Sequence, residues 1–302
     1  MKLRYQISLF SVAVFGAVVA MAALAPVLII NFLTPSSTYH LSKDIAYGSN
    51  SREMLDIYTP KTTAPKHGWP VVVFFYGGTW VSGDRASYRF LGEALASHGV
   101  MTLIADYRLY PEVRYPDFLT DCAKALAFGL QEAGQLGGDP KRVFVMGHSA
   151  GAYNAAMLSL DPRWLASTGH KPSELAGWIG LAGPYDFLPI TDLDARPVFF
   201  YPNYPAGSQP IDYASASSPR SFLGVGLTDN LVNPNRNTLG LARRLQDANV
   251  PVSLHQYSRA NHVTLLGAIS RPLRWLEPVL YDVIVFINTT PTATISDDTA
   301  KE

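Results

Sequence analysis

The apolar residues of this chain fall in short unbroken runs separated by longer amphipathic stretches, which is the pattern of buried strands alternating with surface helices. Seven runs read as strands: Met54 to Tyr58, Val71 to Phe75, Val100 to Ile104, Val143 to Met146, Gly177 to Leu181, Ser221 to Leu227 and Val252 to Tyr257. After the first two, they alternate with helical periodicity. Tyr88, Leu91 and Leu95 share one helical face, as do Phe118, Cys122, Ala125, Leu126 and Gly129. The alternation predicts an α/β fold: a mostly parallel sheet with helices on both faces. From Phe187 to Arg220 the periodicity stops and Pro, Gly, Ser and aromatic residues dominate. Residues 187–220 are therefore expected to form a small lid or pocket wall, where Phe199, Phe200, Tyr201 and Tyr204 either line an apolar site or pin the loop.

The first 35 residues follow a different pattern. Lys2 and Arg4 precede an apolar stretch from Ile7 to Leu33, interrupted only by Ser8, Ser11, Pro26 and Asn31. A membrane helix needs ~20 such residues, whereas the core of a cleavable signal has about 7 to 15. The length favours an uncleaved anchor, with the positive flank in the cytoplasm and the rest of the chain outside it. The alternative is cleavage near Ala20-Met21-Ala22 and a secreted or periplasmic product. Residues 36–288 then make up the folded α/β domain, and 289–302, polar and Thr-rich, a frayed tail.

Candidate chemistry centres on Gly147-His148-Ser149-Ala150-Gly151, which follows the strand ending at Met146 and opens a helical segment. A G-x-S-x-G turn between strand and helix holds its serine at a strained corner, and the glycines let neighbouring backbone pass close by. Serine needs a base to take its proton and an acid to orient that base. Of seven histidines, His262 follows the strand Val252 to Tyr257 in a loop at the carboxyl edge of the sheet, where ligands of open α/β folds collect. His148 lies inside the turn and would have to fold back on its neighbour. For the acid, Asp229 follows the strand Ser221 to Leu227 directly, and Asp186 is the competitor. The most β-prone run, Val71 to Phe75, ends in Tyr76-Gly77-Gly78-Thr79-Trp80. Amides of Gly78 or Thr79 there, with that of Ala150, are expected to form an oxyanion hole.

In the order Ser149, Asp229, His262 these pieces resemble the α/β-hydrolase superfamily, most closely its esterase and lipase branch with an H-G-G-G motif, and small esterases similar to kynurenine formamidase. The resemblance covers roughly Ala46 to Asn288, supported by Asp106-Tyr107-Arg108, Tyr115-Pro116 and Gly83-Asp84. It departs from the family pattern at Tyr76, where the family has histidine, and at Thr79, where it has a third glycine. It implies a serine carboxylesterase acting on a small-molecule ester through an acyl-enzyme, with Trp80 and Tyr153 touching substrate. The alternatives are an arylformamidase-type amidase and a non-catalytic binding module on the same fold.

Composition narrows the rest. The 302 residues, 48% hydrophobic, suffice for one large core, and a formal net charge of zero gives no electrostatic case for nucleic acid. The single cysteine, Cys122, excludes an internal disulfide and, lying far from the N-terminus, a lipidated cysteine anchor there. No metal-ligand cluster or phosphate-cradling loop is present, so neither metal nor cofactor is expected; Gly224 and Gly226 lie within a strand and not after one.

Overall fold

A computed structural model describes residues 26–289. The expected apolar anchor therefore lies outside the described residues up to position 25, and the expected tail from position 290. Within them the chain runs α1 (Pro26–Phe32), β1 (Tyr39–Ala46), β2 (Met54–Pro60), β3 (Trp69–Phe75), α2 (Arg89–Ala96), β4 (Met101–Ala105), α3 (Asp117–Glu132) and β5 (Gly138–His148). It continues through α4 (Ala150–Leu160), α5 (Pro162–Ala166), β6 (Gly177–Leu181), α6 (Ala195–Val198), β7 (Ser221–Gly226), α7 (Thr238–Asp247), β8 (Val252–Tyr257), α8 (His262–Gly267) and α9 (Val279–Asn288).

The eight strands form one sheet in the order β1-β2-β4-β3-β5-β6-β7-β8. β2 is antiparallel to both its neighbours, and from β4 to β8 every pairing is parallel. Successive strand residues face opposite sides, and β3 shows how that builds two layers. Val73 meets α3, whose Gly129 leaves room for its methyl group, while Phe74 packs against Tyr88 just before α2. Val71 to Phe75 are wholly buried, as a strand covered on both sides requires.

Seven strands match the hydrophobic runs to within a few residues, and β1 is the exception. Its sequence YHLSKDIA is mostly exposed, and it pairs on one side only, with a register shift between Ser42 and Ile45. An edge strand with polar residues and a bulge carries little hydrophobic signal, and this is how sheets blunt their edges. The body also begins upstream of the expected boundary at residue 36. Asn31 of α1 donates to the carbonyl of Ser87 (2.7 Å) and accepts from the amide of Phe90 (3.0 Å), which caps α2. Among the described residues no helix is long and apolar enough to cross a membrane.

Candidate active site

Parallel strands deliver their carboxyl ends to one edge, and three loops meet there. β5 ends at His148 and α4 begins at Ala150, so Ser149 alone makes the turn, with φ 55° and ψ −124°. That strained backbone fits only because the residues two positions to either side, Gly147 and Gly151, carry no side chains. A Cβ on Gly147 would strike the carbonyl of Gly151, and one on Gly151 the carbonyl of Phe75. The loop after β8 supplies His262 as the first residue of α8. Asn261 caps that helix, accepting from the amides of Val263 (3.1 Å) and Thr264 (2.9 Å), and so sets where the imidazole emerges.

The turn after β7 supplies Asp229, which is buried. Its Oδ2 accepts from His262 Nδ1 at 2.7 Å, and its Oδ1 accepts from the amides of Leu231 and Val232, both at 2.9 Å. Burial opposes the charge, but the bond from His262 and those two amides outweigh it and hold the carboxyl below its ordinary range. With the proton on Nδ1, Nε2 of His262 is left as the acceptor for Ser149 Oγ, 2.9 Å away. Thus the structure brings together Ser149, His262 and Asp229, the three residues singled out from separate loops of the sequence. Asp186, the competing acid, lines the same cavity but binds Arg236 at 2.8 Å, and the bond to the histidine goes to Asp229.

A cavity of about 410 Å³ opens over Ser149. Thr79, Trp80 and Ala150 line it near the serine, facing Phe187, Ile190 and the loop from Asn230 to Asn237. Ala150 is the first residue of α4, where the amide has no acceptor within the helix. Gly78 does not line the cavity. It forms the turn instead, at φ 120°, its carbonyl accepting from the amides of Val81 (3.0 Å) and Ser82 (3.1 Å). Of the expected oxyanion pair, Thr79 and Ala150 are therefore the two at the cavity wall.

One expectation of substrate contact needs correction, and the two readings of the lid aromatics can be told apart. Tyr153 is wholly buried, packs edge-on against Trp80 and Phe187, and donates to the carbonyl of Ser208 at 2.8 Å. It faces the core because α4 turns that side towards the lid's underside. Phe199, Phe200, Tyr201 and Tyr204 do not line the cavity either. Phe199 is buried among Trp80, Tyr115 and Tyr153, and Tyr204 accepts from the amide of Ile190, so these two pin the lid. Phe200 and Tyr201 are exposed outside it. Trp80 does reach the cavity, although its indole is almost fully buried and donates to Asn154 Oδ1 at 3.0 Å.

Two supports had no clear signal in the sequence. His148 is buried behind the turn, where its Nε2 donates to the main-chain carbonyl of His262 at 2.9 Å. Burial, with the neighbouring His262, pushes its pKa down to about 3, so it is neutral near pH 7. Tyr76, in the place of the family histidine, is stacked between Tyr88 and Tyr107. Its hydroxyl donates to Asp106 (2.8 Å) and accepts from Arg52 (2.7 Å), fixing the base of the loop that carries Thr79. The hydrogen bonds of both run to partners 24 or more residues away in sequence, which no local spacing reveals.

The sheet, the serine turn and the facing histidine define a hydrolase of the α/β class, carboxylesterase-like in kind. A family model described as BD-FAE matches residues 55–245, and the chain belongs to that family. It is 29% identical over 291 residues to a protein of Arabidopsis thaliana named probable isoprenylcysteine alpha-carbonyl methylesterase ICMEL2, covering 88% of this chain and 68% of that one. It is 32% identical over 149 residues to esterase LipC of Mycobacterium tuberculosis, covering 47% of this chain and 36% of that one. The chain thus spans between about a third and two thirds of these relatives' lengths. Among solved structures, a bacterial heroin esterase superposes with a TM-score of 0.71 at 23% identity, over 89% of this chain and 90% of that one, which marks a common fold. Among the described residues no group of three or more His, Cys, Asp or Glu is arranged to hold a metal.

Proposed function

We propose that this protein is a serine carboxylesterase in which Ser149 is acylated, His262 is general base and acid, and Asp229 orients and stabilises the imidazole. The observation that carries this reading is the continuous chain of bonds from Ser149 Oγ to His262 Nε2 (2.9 Å) and from His262 Nδ1 to Asp229 (2.7 Å) at the floor of the cavity. As Oγ attacks the ester carbonyl carbon, its proton passes to Nε2. The carbonyl oxygen becomes an oxyanion facing the amides of Thr79 and Ala150, interactions typically worth about 3 kcal/mol each in the transition state. Collapse breaks the bond to the alcohol oxygen, which leaves with the proton from Nε2. Water then attacks the acyl carbon, its proton moving to Nε2, and the acid departs as Oγ recovers that proton.

The names of the relatives favour esters over formamides as substrates. A cavity of about 410 Å³ suits a small molecule. The apolar run that begins at Ile7 makes this a membrane-held enzyme, its body outside the cytoplasm. The full chain is expected to stay with the membrane fraction through an alkaline carbonate wash; release as a shorter soluble product would favour the cleaved alternative.

The test of the chemistry is labelling of the whole chain with a fluorophosphonate beside Ser149→Ala. Labelling of the parent that vanishes in the variant supports the acyl-enzyme reading. A folded parent that takes no label overturns it in favour of a binding module.

A further inference from the structure

α1 does not hang on a loose tether. Its last turn is bonded to the carbonyl of Ser87 and the amide of Phe90, and the carbonyl of Thr34, two residues beyond the helix, accepts from Arg89 at 2.9 Å. The 3-10 turn Arg85–Tyr88 that α1 touches is itself tied to the carboxyl edge of the sheet. The Arg85 amide donates to Asp106, immediately after β4, at 2.8 Å, and its guanidinium to Asp56 at 2.9 Å. α1 thus meets the body on the edge where Ser149 lies and is fixed to it there.

Large apolar side chains stand in water there too, as Trp275 and Tyr281 do before and on α9. On and just after α1, Leu28, Phe32 and Leu33 are each more than half exposed. Around the cavity mouth Leu193, Leu231 and Val263 are exposed to 72%, 69% and 62%. Leu231 lines the cavity, Leu193 lies between the lining residues Asp192 and Ala195, and Val263 follows His262. Single exposed leucines are ordinary; two groups on one edge, joined to an apolar segment long enough to span a bilayer, define a face.

We propose that the carboxyl edge of the sheet, where the cavity opens, lies against the phospholipid bilayer that holds the N-terminal segment, and that its substrates are amphipathic esters resident in that bilayer. This rests on the membrane-anchor reading. Side chains such as Leu193 and Val263 enter the acyl region at the interface, while the rigid α1 junction holds the mouth at lipid level. An ester then passes from bilayer to cavity without crossing water.

The experiment uses the whole chain in phosphatidylcholine vesicles, with an environment-sensitive fluorophore on Leu193→Cys, Val263→Cys or, at the amino edge of the sheet, Lys141→Cys. Cys122 is the only native thiol and is buried, which keeps the labelling specific. Brominated lipid is expected to quench the labels at 193 and 263 but not at 141. If the chain floats with the vesicles and all three labels escape quenching, the anchor stands and the orientation is overturned. If the chain does not float, the anchor reading fails and this inference falls with it. As a functional arm, Leu193→Glu should lower hydrolysis of a vesicle-embedded long-chain ester by about three-fold or more while leaving water-soluble p-nitrophenyl acetate unaffected. Equal effects on both substrates would overturn the proposal.

Discussion

Ser253, His255 and Asp282 show how little three residue types mean on their own. Ser253 Oγ lies 2.9 Å from His255 Nε2, and His255 Nδ1 lies 3.3 Å from Asp282 Oδ2, nearly the spacing found at Ser149. Ser253, however, sits inside β8 with a strand continuing after it, so no helix N-terminus lies behind its hydroxyl, and Asp282 also accepts from Tyr257 at 2.8 Å. Fluorophosphonate is therefore expected to mark Ser149 alone, with Ser253→Ala labelled like the parent; peptide mapping of the adduct decides. At the candidate site, Asp229→Asn keeps the shape but reverses the tautomer preference of His262, and kcat should fall by about 10³- to 10⁴-fold with the fold intact by circular dichroism. His148 brings a pH dependence of its own. Its pKa is about 3 when folded and about 6.5 in an unfolded chain, so between those values the unfolded state binds more protons and stability falls as pH falls. At pH 5 the cost reaches about 2 kcal/mol, from 1.5 pH units at 1.36 kcal/mol each. Asp229, lowered when folded, adds stability that is present above its unfolded pKa of about 3.9 and lost as pH drops through the folded value. His148→Gln should flatten the change in urea midpoint between pH 7 and pH 5; an unchanged slope would remove His148 as its cause.

At the scale of elements, what the sequence made legible was whatever is written locally. The serine turn could be read because strand, Gly147, Ser149, Gly151 and helix are contiguous, and the structure shows why both glycines are needed: each lies against a carbonyl. Gly151→Ala drives a methyl group into the Phe75 carbonyl and is expected to cost more than about 2 kcal/mol, visible as a fall in the thermal midpoint. Asp229 and His262 were legible because each lies in the short loop at the carboxyl end of a readable strand, the buried β7 and the partly buried β8. The partners that hold those loops were not. Nothing near Tyr76 in sequence announces Arg52 or Asp106, and His148 finds the His262 carbonyl across 114 positions. Tyr153 was misread for the same reason, since only the packed lid shows that Phe187 and Phe199 shut it from the cavity. β1 escaped notice because an edge strand that buries little has little pattern to show.

For the whole molecule, the alternation of strand and helix was enough to place the carboxyl edge of the sheet, and with it the site, while the extent of the body depended on contacts that no periodicity encodes. Asn31 is the case in point: a residue read as an interruption in an apolar run closes the first turn of α2 from outside the sheet. A chain starting at Ser36 loses that cap and should be less stable than one starting at Pro26 by about 1 to 2 kcal/mol in urea titration. On the proposed membrane anchorage, the same junction governs how the enzyme is shed. Ser36-Ser37 is exposed between α1 and β1, within reach of a protease. A cut there would leave α1 behind and free a body with an open helix end, whereas a cut before Pro26 would release it whole. Soluble esterase, if cells make any by proteolysis, should therefore persist only when its new N-terminus lies upstream of Asn31.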